Sequence, residues 1–146
     1  MAAPYTVAVA GATGVVGGTV RAILEQRDFP VGELRLLASA RSAGRRLPFK
    51  GSEVEVRELG PGAFDGVDLA FFAAGARQAV DAGAVVIDKS SVFRQDPEVP
   101  LVVPEVNGDH LAAHKGLIAT PNCSTIQMVV ALKPIYDAAG IERVVV

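Results

Sequence analysis

The sequence predicts an α/β fold built on a doubly wound, mostly parallel sheet with helices on both faces. Three observations predict it. Short apolar runs alternate with segments of helical period along the 146 residues. A glycine-rich loop joins the first apolar run to the first helical segment, and the runs are rich in valine and alanine, with only 5% aromatic residues overall. Such alternation is typical of parallel sheets covered by helices.

In the first part of the chain, apolar runs that end at glycine or at a polar loop mark the strands. Tyr5–Ala10 is such a run, and Val15–Arg27 after it has the period of a helix, with Val16, Val20, Ile23 and Leu24 on one face. A second strand is expected at Leu34–Ala38. Residues 39–51 are mainly basic, small or proline and are expected to form a loop, whereas residues 53–57 alternate as a strand with one solvent-facing side does.

The later elements are shorter and interrupted by proline. Residues 89–109 contain Pro97, Pro100 and Pro104 and are expected to be an irregular loop that includes a short strand. The strands expected here are Leu69–Ala74, Ala84–Asp88, Leu101–Val103 and Leu117–Ala119. The helices are Ala76–Ala82, Asp109–Lys115 and Ser124–Ala139, the last ended by Gly140.

Composition excludes several classes of function. Fourteen basic and sixteen acidic side chains give a net charge of -2, which removes the electrostatic case for binding nucleic acid or an anionic membrane. No apolar run reaches the ~18 residues that span a bilayer. Because Cys123 is the single cysteine, no intrachain disulfide or multi-thiolate metal site can form, and we expect a reducing, cytoplasmic setting and no metal.

The glycine loop indicates a phosphate-binding turn. Gly11, Gly14 and Gly17 lie between the first strand and the first helix. Glycines there let the backbone approach a pyrophosphate, whose charge is met by the free N–H groups of the helix N-terminus. A glycine-rich turn without a ligand is the alternative, but a position directly after the first strand favours a Rossmann-like dinucleotide site.

The end of the second strand favours NADP over NAD. A fold that accepts NAD has a carboxylate there for the ribose 2′-hydroxyl, and this chain has none. Ser39, Arg41 and Ser42 instead provide hydroxyls and a guanidinium for a 2′-phosphate. The alternative is a solvated basic loop, which describes Arg45 and Arg46 equally well.

Cys123 lies in the sequence Pro-Asn-Cys-Ser-Thr, at a junction between a strand and a helix. A thiol at a helix N-terminus is near the positive end of the helix dipole, which favours the thiolate. A lone cysteine is more often a small core residue. Its polar, helix-starting neighbours favour a reactive thiol instead.

Five ordered segments give the chain a family resemblance. They are Gly11–Gly14, Ser39–Gly44, Asp88–Arg94, Val102–Asn107 and Pro121–Thr125. In this order and over nearly the whole chain, they resemble the aspartate-semialdehyde dehydrogenase family. The resemblance implies an NADP-dependent, phosphorylating aldehyde dehydrogenase that carries out the reversible reductive dephosphorylation of aspartyl 4-phosphate to aspartate semialdehyde. This reaction serves lysine, threonine and methionine biosynthesis.

The resemblance also implies roles for individual residues. Cys123 matches the nucleophile that forms a thioester, Asn122 lies near the developing oxyanion and the substrate, and Arg94 holds the phosphate. The cofactor residues implied are Gly11, Thr13, Gly14, Val15 and Val16 at the pyrophosphate, Ser39, Arg41 and Ser42 at the 2′-phosphate, and Gly75 in a loop that lines the cofactor.

The chain departs from the family pattern in several places. Lys89 stands where the family usually has asparagine, and the stretch between Gly75 and Gly83 looks shorter than the family's, as if residues were missing. The family's catalytic histidine and further substrate residues belong to a second domain. We therefore expect an NADP-binding domain at residues 1–140, with residues 141–146 as the start of a strand that leads into that domain. His110 and His114 do not replace the histidine, and we interpret them as surface residues.

Other functions remain open from the sequence alone. One is a related enzyme of the N-acetyl-glutamyl-phosphate reductase or glyceraldehyde-phosphate dehydrogenase type, and the other is a module that senses dinucleotide without chemistry. The resemblance implies a homodimer or homotetramer for the full-length protein. Since the acid-base group is expected in the second domain, we expect the 146-residue chain alone to be inactive.

Overall fold

The structure, a computed structural model, describes residues 4–72 and 76–146. The strands are β1 (Tyr5–Ala10), β2 (Val31–Ala38), β3 (Arg46–Phe49), β4 (Ser52–Glu58), β5 (Leu69–Phe72), β6 (Val85–Asp88) and β7 (Leu117–Ala119). The α-helices are α1 (Val15–Gln26), α2 (Ala76–Asp81), α3 (Pro104–Asn107) and α4 (Cys123–Ala139). Two 3-10 helices cover Ala40–Ser42 and Gly108–Ala113.

The strands form one sheet in the order β3-β4-β2-β1-β5-β6-β7. All neighbouring strands are parallel except β3 and β4, which are antiparallel. Strands β2, β4 and β3 are added on one side of β1, and strands β5, β6 and β7 are added on its other side. This confirms the predicted doubly wound, mostly parallel sheet, and it brings the carboxyl ends of the parallel strands to one edge.

Strand β1 is buried on both of its faces. Val7 and Val9 pack with Leu24 of α1 on one side, and Ala8 packs with Ala79 of α2 on the other. Each of these residues is at most 5% exposed. Helices therefore cover both faces of the sheet, as the continuous apolar run of β1 predicts.

The predicted loop at residues 39–51 is wrong, because it contains β3. Strand β3 forms a hairpin with β4 through the two-residue turn Lys50–Gly51, whose φ angles are 46° and 76°. Both turn residues have positive φ, as a tight hairpin requires, but lysine is a weak turn signal compared with asparagine or aspartate. Pro48 is tolerated because β3 lies at the edge of the sheet.

Other differences lie in the second part of the chain. The strand expected at Leu101–Val103 is reduced to a single parallel bridge between Leu101 and Ala119, since Pro104 begins α3. The helix expected at Asp109–Lys115 is a 3-10 helix at Gly108–Ala113. Residues 141–146 form no strand, so the boundary proposed there stays a prediction.

Helix α4 is the longest helix of the described residues, and it packs loosely against the rest of the domain. It begins at Cys123, ends before Gly140, whose φ is 72°, and contains Pro134. None of its 17 residues is buried. In the described ranges, no helix has the length and apolar character needed to cross a membrane.

The contact between α1 and the glycine loop predicts opposite effects for two adjacent glycines. A Cβ atom on Gly17 would lie 2.4 Å from the carbonyl oxygen of Gly11, whereas one on Gly18 would meet nothing within 4 Å. Gly17→Ala should lower the free energy of unfolding by about 1–3 kcal/mol through overpacking. Gly18→Ala should raise it by about 0.5–1 kcal/mol, because alanine restricts the unfolded chain.

Urea denaturation of the two variants measures this difference directly. The substitutions are chemically identical and one residue apart, so each serves as the control for the other. Equal effects of both variants would contradict a close approach of α1 to the loop after β1.

Candidate active site

A cleft of about 520 Å³ lies at the carboxyl edge of the sheet. It is bounded by the ends of β1, β2 and β5, the start of α1 and the residue after β6. Its lining is almost entirely uncharged, and Lys89 is the single charged residue among the described residues that line it. The others are Val9, Ala10, Gly11, Thr13, Gly14, Val15, Val16, Gly17, Val20, Ala38, Ser39, Leu59 and Phe71.

The glycine loop presents backbone donors to this cleft. Gly11 has a φ of 81°, and the loop is tied to β2 because the N–H of Gly11 donates to the carbonyl of Leu37 at 2.8 Å. Gly14 caps α1 without a side chain, and the first turn of α1 has no acidic residue. The first N–H groups of the helix therefore have no side chain competing for them, which suits an anionic ligand.

The structure places the predicted pyrophosphate residues together. Gly11, Thr13, Gly14, Val15 and Val16 all line the cleft. Val15 and Val16 are 89% and 46% exposed, although both are apolar. Exposed apolar groups around a few polar donors are typical of small-molecule sites.

Of the three residues predicted for a 2′-phosphate, one lines the cleft and two lie in the turn that follows it in the chain. Ser39 lines the cleft directly, and Arg41 and Ser42 follow in the 3-10 turn, where the N–H of Ser42 donates to the carbonyl of Ser39 at 2.8 Å. Arg41 is exposed and has no ion pair with a described residue. An exposed guanidinium two residues after Ser39 suits an anionic group of a ligand that reaches this turn.

Cys123 is an exposed free thiol in the first turn of α4. The side-chain oxygen of Asn122 caps this helix. It accepts from the N–H of Ser124 at 3.0 Å, from the hydroxyl of Ser124 at 2.7 Å and from the thiol of Cys123 at 3.7 Å. Because the oxygen is committed to the cap, the Nδ2 group of Asn122 is left to donate elsewhere; it has no hydrogen bond to a described residue.

Arg94 is fixed beside this helix by two backbone carbonyls. Its Nε donates to the carbonyl of Thr120 at 2.9 Å, and its Nη2 donates to the carbonyl of Lys89 at 3.1 Å. Thr120 is three residues before Cys123. The half-buried guanidinium has no carboxylate partner among the described residues, so its charge and its remaining donors suit an external oxyanion.

Asp88 connects the turn after β6 to Thr120, a role that no sequence pattern predicted. It is 1% exposed. Its Oδ1 accepts from the N–H and hydroxyl of Ser90 at 2.7 and 2.5 Å, and its carbonyl accepts from the N–H and hydroxyl of Thr120 at 2.9 and 3.2 Å. Its Oδ2 has no partner among the described residues. The signal available in the sequence was a carboxylate that ends an apolar strand and precedes two serines.

The structure does not place the remaining predicted residues in this arrangement. Gly75 falls outside the described residues. His110 and His114 are engaged locally, with Nδ1 of His110 3.2 Å from Nδ2 of Asn107 and Nδ1 of His114 accepting from the N–H of Gly116 at 3.1 Å. In residues 4–72 and 76–146 there is no group of three or more metal-binding side chains placed to hold an ion.

Comparisons with known proteins agree with this geometry. Residues 6–114 match the family model described as semialdehyde dehydrogenase, NAD binding domain, and Cys123 lies after that range. The aspartate-semialdehyde dehydrogenase of Aquifex aeolicus is 57% identical over 97% of this chain and 45% of its own length, and that of Bacillus subtilis is 52% identical over 96% and 42%. The chain thus spans less than half the length of these curated relatives.

Solved structures give the same result. A Vibrio cholerae structure described as aspartate semialdehyde dehydrogenase II complexed with ASA has a TM-score of 0.90 and 50% identity, over 96% of this chain and 49% of that one. A Candida albicans structure described as aspartate semialdehyde dehydrogenase with NADP has a TM-score of 0.72 and 29% identity, over 95% and 48%. Together with the family model, which matches most of the chain, these likenesses show that the chain belongs to the semialdehyde dehydrogenase family and contains its NAD-binding domain.

Proposed function

We propose that this chain is the cofactor-binding and nucleophile-bearing part of an NADP-dependent aspartate-semialdehyde dehydrogenase. In the biosynthetic direction the whole protein would reduce aspartyl 4-phosphate to aspartate semialdehyde and release phosphate. The observation that carries the proposal is the position of Arg94, whose guanidinium bonds both to the residue after β6, which lines the cleft, and to the segment that leads into Cys123.

The first chemical step uses groups of this chain alone. The Cys123 thiolate attacks the acyl carbon of the acyl phosphate, the carbon–sulfur bond forms, and the bond from carbon to the phosphate oxygen breaks. Arg94 would hold the phosphate through the guanidinium donors not used by the two carbonyls. Nδ2 of Asn122 would donate to the oxygen on which charge develops.

The cleft fits a dinucleotide on three grounds. The first turn of α1 offers backbone N–H donors that no side chain caps. The positive φ of Gly11 lets the backbone approach a pyrophosphate closely. After β2, where a carboxylate would select NAD, the chain has the polar turn with Ser39 and Arg41. NADPH, when bound, supplies the hydride that reduces the thioester. Gly11, Thr13, Gly14, Val15 and Val16 would hold the pyrophosphate, while Ser39, Arg41 and Ser42 would hold the 2′-phosphate.

The remaining steps need groups outside this chain. Reduction of the thioester gives a hemithioacetal, which collapses to the aldehyde as the Cys123 thiolate leaves. A positioned acid-base group must give a proton to the hemithioacetal oxygen as it forms and remove that proton when it collapses. We propose that this group belongs to the part of the protein that the relatives have beyond the matched length. Assembly as a homodimer or homotetramer, and a cytoplasmic location suited to an exposed thiol, belong to the same proposal.

The 2′-phosphate assignment predicts a selective effect of Arg41→Ala. The affinity of the 146-residue chain for NADPH should fall by roughly tenfold, because one charge-assisted contact to the 2′-phosphate is lost. The affinity for NADH should be nearly unchanged. Fluorescence titration with each nucleotide measures both values. Arg45→Ala, in the same basic stretch but outside the assigned residues, is the matched control, and equal losses for both nucleotides would contradict the assignment.

The first chemical step can be tested on the chain itself. With acetyl phosphate as the acyl donor, the folded chain should acquire one hydroxylamine-sensitive acetyl group on Cys123, measured by intact mass. Arg94→Gln should slow this acylation by about tenfold or more, because the phosphate loses its guanidinium contact. Inorganic phosphate should slow acylation of the wild-type chain by competing for Arg94, and it should have little effect on the Arg94→Gln variant.

Two controls complete this experiment. Cys123→Ser should form no thioester, and Arg27→Gln, which removes an exposed guanidinium at the far end of α1, should react like the wild type. Binding of NADPH without acylation of Cys123 would contradict the dehydrogenase and favour a dinucleotide-sensing module. Steady-state turnover by the 146-residue chain would contradict the expected need for a second domain.

A further inference from the structure

Lys89 differs from the other three lysines in having no ion-pair partner among the residues that the structure describes. Of the four lysines, Lys50 pairs with Asp28 at 2.8 Å, Lys133 pairs with Asp137 at 2.6 Å, and Lys115 pairs with Glu98. The Lys89 ammonium forms neither an ion pair nor a hydrogen bond with any residue in the described ranges. It is also the single charged residue among those described that line the 520 Å³ cleft.

The backbone of Lys89 is held in place from both sides. Before it, Asp88 is buried and bonded to Ser90 and Thr120. Its own carbonyl accepts from Arg94 at 3.1 Å. A cation on a fixed backbone loses less freedom when it binds than one on a mobile loop, so the position is suited to a ligand contact.

The charge pattern of the cleft identifies the ligand group. Lys89 lines the cleft from the end of β6, two strands away from the end of β1 that carries the glycine loop, and no carboxylate is among the described lining residues. The free N–H groups at the start of α1 also favour an anion. For an anionic group held at the start of α1, Lys89 is thus the only charged side chain that the described lining offers.

On the proposed function, that anionic group is the pyrophosphate of the dinucleotide. We propose that Lys89 is a cofactor-binding residue whose ammonium contacts the pyrophosphate from the β6 side. The inference rests on the proposed dinucleotide site. It assigns Lys89 and Arg41 to different phosphate groups of the cofactor. Lys89 acts on a group shared by NADPH and NADH, whereas Arg41 acts on the 2′-phosphate that NADPH alone carries.

The test is nucleotide binding by the 146-residue chain and its Lys89→Gln variant. Lys89→Gln should weaken NADPH and NADH by the same factor, roughly three- to tenfold, and should reduce the dependence of both affinities on salt. Lys89→Arg keeps the charge and should retain most of the affinity. Lys115→Gln makes the same change at a lysine outside the cleft and should bind both nucleotides like the wild type.

Several results would overturn the inference. Unchanged affinities in Lys89→Gln would show that the ammonium makes no contact, and a loss confined to NADPH would assign it to the 2′-phosphate. An equal loss of nucleotide affinity in Lys89→Gln and Lys115→Gln would show that the effect comes from the net charge of the chain and not from a contact at Lys89. If the wild-type chain bound neither nucleotide, the proposed function itself would fail, whereas wild-type binding with no effect of Lys89→Gln would overturn the inference about Lys89 alone.

Discussion

The burial of β1 on both faces is the constraint on which the site depends. Because α1 covers one face of β1 and α2 covers the other, the chain must turn sharply after Ala10 for α1 to pack back against the strand. The positive φ of Gly11 and the missing side chain of Gly17 make that turn compatible with close packing of α1. The helix N-terminus and its free donors consequently lie directly above the strand end, where the cleft opens.

Parallel pairing extends this arrangement to the chemistry. Strands β6 and β7 pair in register, with Asp88 opposite Ala119, so the segments that follow them emerge side by side at the same edge as the glycine loop. Asp88 then ties the turn after β6 to Thr120, and Arg94 bonds across both segments. The Asp88 carboxylate holds Ser90 in the turn after β6, while the Asp88 backbone carbonyl holds Thr120, so this one residue connects the turn beside the cleft to the segment that leads into Cys123. Lys89 and Arg94 lie in this network without carboxylate partners among the described residues, and the excess of positive charge suits ligands that carry phosphate.

The sequence predicted the parts of this site that local patterns encode. The glycine loop, the polar turn with Ser39 and Arg41, and the junction of strand and helix at Cys123 each depend on residues within a few positions of one another. The hairpin of β3 and β4 was missed because Lys50–Gly51 is an unusual turn pair and Pro48 argues against a strand unless it lies at an edge. The sequence did not predict the contacts of Asp88 or the role proposed for Lys89, for a different reason. Both depend on which strands are neighbours in the sheet, and local sequence patterns do not determine that order.

If the proposed dinucleotide site and the nucleophile share the carboxyl edge of one sheet, NADP+ must bind close to Cys123. This can be measured by titrating the uniformly ¹⁵N-labelled 146-residue chain with NADP+ and following the backbone amide chemical shifts. We expect the largest shifts at Gly11–Val16, at Ser39–Ser42 and at Lys89, with smaller shifts reaching Asn122 and Cys123. Shifts centred instead on Val31, Asp68 and Gly116, at the opposite edge of the sheet, would contradict it.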